Sequence, residues 1–332
     1  MTRPRVVHLA SSSGGHLDLL VRLRSTLRDH HIVWVTQPSA TARALEQACE
    51  LIYILPAWSR SLRHIGRLAT NVAQSLRYVI RDRPTLVITS GSGLVVPYCM
   101  FARLSGANIV FIETPARVDT PSQAGRVLSR IAARTLVQWP SMLAVYPRSQ
   151  ACYPPALEGV DPSRQGGGEG TYVGVGNHSQ PFDRLLYLVD DAVARGLLPR
   201  PVVAQAGVSR YQPSTYKTCE WLDPHDVDAA IAASRYVVTH GGTGSISNAL
   251  RHGRRPLVLA RMRRFDEHVD DHQQQLVSEM ASMELVVPLT SPISEFHLQA
   301  ADIPLTLPPR DPNRPNLSDA LRTTVSQIAG CR

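Results

Sequence analysis

THGGTGSISNAL (239–250) sets Gly241, Gly242 and Gly244 among Thr243 and Ser245, straight after an apolar YVV and before a helix-forming stretch. Glycines let the backbone turn sharply while the first N–H groups of the helix stay available, so such a turn can cradle a phosphate. The G-K-[ST] of a P-loop is missing, which disfavours metal-assisted ATP or GTP hydrolysis. GVGNHSQPF (174–182) has the same form and aims Gly176, Asn177 and His178 at one mouth. SSSGGHL (11–17) repeats it with Gly14, Gly15 and His16, and an imidazole of ordinary pKa ~6.5 suits proton transfer. SGSGLVVP (90–97) offers Ser90, Gly91, Ser92 and Gly93 as a further anion turn. IETPAR (112–117) puts Glu113 at a strand end, fit to act as a base or to bind a sugar hydroxyl, with Arg117 close behind. Each motif taken alone also reads as a plain strand-to-helix turn, with solvent-facing histidines and a capping or ion-pairing carboxylate.

RMRRFDEHVDDHQQQL (261–276) adds Arg261, His268, Asp271, His272 and Gln273. His268 and His272 have the i, i+4 spacing of a zinc helix, but H-E-x-x-H is absent and no third ligand is apparent. A row of hydrogen-bonding groups for polar hydroxyls is the more natural reading. No metal and no cofactor is expected.

These motifs need elements to hold them. Strand patterns at 5–10, 32–36, 51–55, 85–90, 108–113 and 135–139 alternate with helical patterns at 17–29, 61–82 and 94–104. YPPALEGVDPSRQGGGEG (153–170) is rich in proline and glycine and reads as a linker. The alternation then restarts, with helices expected at 181–195, 224–234, 244–252, 268–281 and 316–328. Such alternation means parallel sheets covered by helices, an α/β class. The chain therefore reads as a first domain over 1–152 and a second over 171–332, the last helix being a candidate to pack back on the first domain. Open α/β sheets bind ligands beyond the carboxyl ends of their strands. Every glycine turn above lies at such an end, which points to chemistry in a central cleft between two doubly wound domains.

Charge separates the halves. Residues 1–165 hold 19 basic and 9 acidic side chains, against 16 and 18 in the remainder. A basic first half suits an anionic neighbour: a membrane surface, a phosphorylated acceptor or a nucleic acid. Aromatic residues do not interleave with the arginines, so no nucleic acid is expected. Residues 58–81 form an amphipathic helix with Trp58, Leu62, Ile65, Ala69, Val72, Leu76, Val79 and Ile80 on one face and Arg60, Arg63, Arg67, Arg77 and Arg81 around it. It either packs on the sheet or dips into an anionic bilayer. Five scattered cysteines without a C-x-x-C pair argue for a reducing cytosol. No signal peptide and no membrane-spanning stretch is expected.

SSSGGHLDLL, SGSGLVVP and IETPARVDTPSQAGRVLSRIAARTLVQWP resemble the acceptor-side subunit of the two-subunit N-acetylglucosaminyltransferase that acts on dolichol-diphosphate-linked sugar. VGVGNHSQPFDRLL and THGGTGSISNALRHGRRPLVLARMRRFDEHVDDHQQQL resemble its donor-side partner, a glycosyltransferase family 28 C-terminal domain. The likeness is closer to bacterial capsule and exopolysaccharide versions, here fused in one chain. It implies a GT-B enzyme, two Rossmann-like domains facing a central cleft, with inverting chemistry. It further implies a UDP-sugar donor, a polyprenyl-diphosphate-linked acceptor and a peripheral position on the cytoplasmic face of the plasma membrane.

By that resemblance the 239–250 cradle, with His240, holds the nucleotide diphosphate, and Gln273 with its neighbours reads the donor sugar. His16 is the general base, with Glu113 as a second catalytic candidate. The first-half turns and Arg117 face the acceptor. The related peptidoglycan enzyme carries a ribose-binding glutamate where this chain has Asn248. The donor sugar stays open among N-acetylglucosamine, glucuronate, galactose and glucose. A nucleotide-sugar 2-epimerase of the same architecture, or a non-catalytic nucleotide-sugar-binding partner of a polysaccharide assembly complex, are the alternatives.

Overall fold

The computed structural model describes residues 6–46, 49–56, 63–164, 167–178 and 180–330, with the side chains of 40, 41, 63–65 and 330 left aside. The chain divides into two compact units, Met1–Pro154 with Pro312–Arg332, and Pro155–Asp311.

In the first unit, β1 (Val6–Ser11), β2 (His31–Thr36), β3 (Glu50–Tyr53), β4 (Leu86–Gly91), β5 (Asn108–Ile112), β6 (Arg134–Val137) and β7 (Ser149–Ala151) form a parallel sheet in the order β3-β2-β1-β4-β5-β6-β7. Its helices are α1 (Gly15–Leu23), α2 (Ala40–Glu46), α3 (Arg63–Asp82), α4 (Val96–Leu104), α5 (Gln123–Ile131) and α6 (Met142–Val145). Val7, Leu9, Ile88, Val110, Ile112 and Leu136 are buried, as a sheet covered on both faces requires.

The second unit orders β8 (Thr171–Gly174), β9 (Val202–Gln205), β10 (Thr218–Cys219), β11 (Tyr236–His240), β12 (Leu257–Leu259) and β13 (Val287–Pro288) as β10-β9-β8-β11-β12-β13, again parallel. It adds α7 (Asp183–Ala194), α8 (Pro224–Ala233), α9 (Thr243–Arg251), α10 (His272–Ser282) and α11 (Glu295–Asp302). Its core gathers Val173, Phe182, Leu186, Val189, Val238 and Leu257. Each sheet reverses strand order once, between β1 and β4 and between β8 and β11. Those are the crevices where open α/β sheets take ligands.

Two features differ from the sequence expectations. Residues 155–164 and 167–170 belong to the second unit rather than forming a free linker. Ala156, Leu157 and Val160 are buried, Arg254 donates to the Gly167 carbonyl at 2.8 Å, and Glu169 N–H to that of Ala233 at 2.9 Å. Residues 165 and 166 lie outside the described residues. The last helix, α12 (Leu317–Gly330), sits in the first unit, the placement for which the sequence made it a candidate, and Leu317, Leu321 and Val325 join Val7, Leu9 and Leu27 in the core.

The second difference is α3, which buries two polar residues beside Val79 and leaves much of its apolar stripe exposed. Asn71, Ser75 and Val79 are buried, whereas Leu68, Leu76 and Ile80 are 46%, 42% and 60% exposed. The buried amide of Asn71 donates to the carbonyls of Leu55 and Leu94 at 2.7 and 3.1 Å, which satisfies it away from water. On α4, Met100 and Leu104 are also exposed. Trp58, Arg60 and Leu62 lie outside the described residues. Among those described, no helix is long and apolar enough to cross a membrane.

Candidate functional site

In the first unit the turns after β1 and β4 meet at the switch point. Gly14 adopts φ 75°, and a Cβ at Gly14 or Gly15 would meet nothing within 4 Å, so the start of α1 is open. No side chain caps α1, which leaves its first N–H groups for an anion. His16 Nδ1 donates to the Ser90 carbonyl at 2.9 Å, and Ser90 Oγ returns a bond to the His16 carbonyl at 3.0 Å. A carbonyl only accepts, so the proton of the neutral ring sits on Nδ1 and Nε2 is its basic nitrogen. The neighbouring turn runs through Gly91 at φ 86° and Ser92 at φ 102° to Gly93, which opens a short 3-10 turn ahead of α4. Ser92 is a non-glycine residue held in the left-handed region, a conformation that costs energy and persists only where neighbours impose it. The structure thus brings Gly14, Gly15, His16, Ser90, Gly91, Ser92 and Gly93 to one strand-end crevice.

Glu113 has a different task from the catalytic one expected of it. Its side chain is buried and accepts from Thr114 N–H (2.9 Å), Ser122 N–H and Oγ–H (both 3.1 Å) and Tyr146 O–H (2.7 Å). Ser122 in turn caps α5 through the Gly125 N–H. A buried carboxylate with so many donors organises the β5–α5 connection. Burial and then Glu113 raise the Tyr146 phenol far above its ordinary value. Arg117, half-buried on the same connection, bonds its backbone N–H to the Thr114 carbonyl at 3.0 Å.

In the second unit, the turns after β8 and β11 close around one imidazole. A Cβ on Gly176, which holds φ 76°, would lie 2.3 Å from the His240 ring, and one on Gly242 would lie 2.2 Å from it. His240 is wedged between two bare backbones, and both positions need glycine. Burial, then Arg261, pushes its pKa down to about 3. Gly242 is the N-cap of α9, no side chain caps that helix, and a Cβ on Gly244 would meet nothing within 4 Å. Thr243 and Ser245 flank this open helix start, while a Cβ on Gly241 would press against Val277 and Gln273 at 2.9 and 3.0 Å.

The two kinds of glycine predict opposite results. Gly176→Ala combines a left-handed backbone with overlap on His240 and is expected to destabilise by about 2–4 kcal/mol. Gly244→Ala is expected to raise stability by up to about 1 kcal/mol while weakening UDP binding at least tenfold. Thermal denaturation and calorimetric titration of the two variants check this. Undiminished UDP binding by Gly244→Ala would remove the cradle assignment.

Around this cradle, Asn177 is exposed and accepts weakly from Gln205 at 3.4 Å. His178 stacks against His268 with centroids 4.5 Å apart, and His268 meets His272 edge-on at 4.6 Å. His178 is pushed down to about 4 by burial first, then by His268, Arg261 and His272, against the opposite pull of Asp270.

His268 and His272 do not share a helix face, because α10 begins only at His272. They meet through Asp270, whose carboxylate faces His268 Nδ1 at 3.3 Å and also bonds His272 Nδ1. These three donor atoms lie within 4.8 Å of one another and are of kinds a divalent metal accepts; one carboxylate orienting two imidazoles gives the same arrangement. Asp270 is the third group that spacing alone did not reveal.

Gln273 and Arg261 turn inward, whereas Asp271 stays exposed. Asp271 accepts from the Arg263 N–H at 2.8 Å, and the buried Gln273 accepts from the Arg261 N–H at 3.0 Å. The Arg261 guanidinium is wholly buried among carbonyls and so does not touch a donor. Asn248 donates at 2.7 Å to Asp228 of α8, a carboxylate that sequence reading missed because it lies on another helix.

Comparison with known proteins agrees with this division. Residues 57–153 match the family described as oligosaccharide biosynthesis protein Alg14 like, and residues 172–292 match the glycosyltransferase family 28 C-terminal domain. The UDP-N-acetylglucosamine transferase subunit ALG14 of Mus musculus is 37% identical over 178 residues, covering 42% of this chain and 78% of that protein. The UDP-N-acetylglucosamine--N-acetylmuramyl-(pentapeptide) pyrophosphoryl-undecaprenol N-acetylglucosamine transferase of Synechococcus sp. (strain CC9311) is 29% identical over 156 residues, 45% of this chain and 42% of that protein. MurG of Acinetobacter baumannii has the same fold, with a TM-score of 0.67 at 15% identity over 98% of this chain and 100% of that one. The chain therefore belongs to the Alg14-like family through its first unit, carries a family 28 C-terminal domain in its second, and is a glycosyltransferase of the GT-B fold.

Proposed function

We propose that this glycosyltransferase moves a sugar from a UDP-sugar to a polyprenyl-diphosphate-linked sugar acceptor, with inversion, in cell-surface polysaccharide or glycolipid synthesis. One observation carries the reading. Each sheet has, at its strand-order reversal, an uncapped helix start with an imidazole beside it: His16 on α1 and His240 at α9. Two anion sites of this kind fit two diphosphates, one on the donor and one on the acceptor. The names of the relatives favour N-acetylglucosamine as the sugar.

In the reaction the acceptor hydroxyl gives its proton to His16 Nε2 as its oxygen bonds to the anomeric carbon. The bond from that carbon to the UDP oxygen breaks, and its electron pair leaves with UDP. The N–H groups at the start of α9 offset the charge growing on the leaving diphosphate. The carboxylate of Asp228 can accept from a ribose hydroxyl, and the Asn248 amide beside it can donate to one. No step calls on a metal or a cofactor.

Purified protein given UDP-sugars and polyprenyl-diphosphate-linked glycans should release UDP only when both are present. Conversion of the donor without acceptor would point to an epimerase. Folded protein inert with every pairing would sink the transferase reading.

The outward apolar face of α3 and α4 supports a place on an anionic membrane surface, which a UDP-sugar donor would put on the cytoplasmic side. Leu68, Leu76, Ile80, Met100 and Leu104 are exposed, with the exposed Arg67, Arg77 and Arg81 on the same helix pair. The protein should float with vesicles containing phosphatidylglycerol at low salt, and Leu76→Glu with Ile80→Glu should abolish this without unfolding it. Wild-type protein that stays with the soluble fraction would rule the membrane face out.

A further inference from the structure

Arg261 is a cation with no solvent exposure and an unusual set of partners. Nη1 donates to the carbonyls of Gln180 (2.8 Å), Glu267 (3.0 Å) and Pro181 (3.3 Å), and Nη2 to that of Val175 (2.7 Å). The guanidinium carbon lies 4.6 Å from the centroid of the fully buried Phe182 ring. The nearby carboxylate of Glu267 is bound instead by Arg184, at 2.9 and 2.7 Å, and by the Met262 N–H at 3.0 Å. Burial pushes the guanidinium down to about 10, with Glu267 opposing, so it stays charged at neutral pH.

A buried charge neutralised chiefly by carbonyl dipoles is costly, and a methionine would fill the same space without that cost. What the arginine does that methionine cannot is visible in the topology. It follows β12, and β11 lies between β12 and β8 in the sheet. Strands stand about 4.8 Å apart, so the side chain spans two strand spacings to reach Val175 at the end of β8. Val175 precedes Gly176, the residue packed on the His240 ring, so the charge ends next to the cradle. The carbonyls it ties belong to the two segments that carry Gly176, Asn177 and His178, and Glu267 next to His268.

We propose that Arg261 is a positioning residue of the donor-side site: its fork locks the loops after β8 and β12 to each other, and its charge adds a fixed attraction for a diphosphate that it never touches. This rests on the cradle being a diphosphate site.

The fork and the charge separate in two variants. Arg261→Lys keeps the charge and loses the planar fork, whereas Arg261→Met loses both. Hydrogen exchange without ligand reads the lock. Both variants should speed exchange at 176–178 and 262–268 at least tenfold and leave Tyr172–Gly174 unchanged. Calorimetry with inorganic pyrophosphate and with UDP reads the charge. Arg261→Met should weaken both at least tenfold, and Arg261→Lys should hold pyrophosphate within threefold of wild type.

Unchanged loop exchange in Arg261→Lys would overturn the lock, and this variant decides alone if Arg261→Met fails to fold. Equal pyrophosphate affinities in Arg261→Met and wild type would overturn the charge contribution. If wild-type protein binds neither UDP nor pyrophosphate while the loops loosen in Arg261→Lys, the donor reading fails and the lock stands.

Discussion

Replacing His16 with alanine is expected to lower kcat by about 10²–10⁴-fold, the range a positioned general base contributes, with UDP affinity unchanged within twofold. The reason lies in the tether to Ser90. Donation from Nδ1 to the Ser90 carbonyl holds the ring at the open start of α1 and assigns Nε2 to proton transfer. His16→Gln separates these roles, because an amide can keep a bond to the carbonyl but cannot take a proton at neutral pH. Both variants should therefore be similarly slow, and a glutamine variant with wild-type turnover would reduce His16 to a positioning group. Retention of kcat by His16→Ala within twofold would remove it from the chemistry. Single-turnover measurements with saturating donor make the comparison clean, since product release then drops out.

Asp190→Ala is expected to destabilise the protein by about 3–4 kcal/mol, by a mechanism unrelated to catalysis. The carboxylate lies on the inner side of α7, where it accepts from Thr215 Oγ1–H (2.5 Å), Ser214 N–H, Thr215 N–H and Tyr211 O–H (each 2.9 Å) and Ser214 Oγ–H (3.1 Å). It organises the segment from Tyr211 to Thr215, and its removal leaves those donors unmet. Burial alone would raise its pKa, but the bonds from Ser214, Thr215 and Tyr211 outweigh burial and hold the group well below the ordinary carboxylate range. The sign follows from linkage. The unfolded carboxyl titrates near ~3.9, so the stabilisation is complete above that pH and is lost as pH falls toward the lower folded value. Wild-type stability should therefore decline in acid more steeply than that of Asp190→Ala, whose deficit should shrink below about pH 4. A deficit that stays constant from pH 7 down to pH 3 would show that the carboxylate charge is not what stabilises this segment. Chemical denaturation at several pH values gives the answer.

The motifs that could be read without a structure share one property: they are local. A β-branched run followed by glycines and a helical period is written in about a dozen consecutive residues. The turns at 14–16, 90–93, 174–178 and 240–245 accordingly fall at strand ends beside the two reversals of strand order. Residue type without context was a poorer guide. Glu113 and Arg261 have the chemistry of a base and of an anion ligand, yet one is occupied by Tyr146, 33 positions away, and the other by Val175, 86 positions away. Asn248 suggested a missing carboxylate, and Asp228, 20 positions earlier on α8, stands beside it. Helical spacing likewise grouped His268 with His272, although Asp270 in an irregular turn is what joins them.

The same division runs through the architecture. Alternating patterns were enough to determine two α/β halves, the strand-end placement of the glycine turns and the apolar stripe of α3, because period 2 and period 3.6 are imposed by the backbone itself. Only the tertiary structure decided which side of α3 is packed, since Asn71 and Ser75 can be buried once the carbonyls of Leu55 and Leu94 are there to receive the amide. It alone decided that α12 completes the first unit and that the segment before β8 belongs to the second. Hydrogen-bond satisfaction and close packing depend on which distant groups arrive at the same place, and no periodicity along the chain records that.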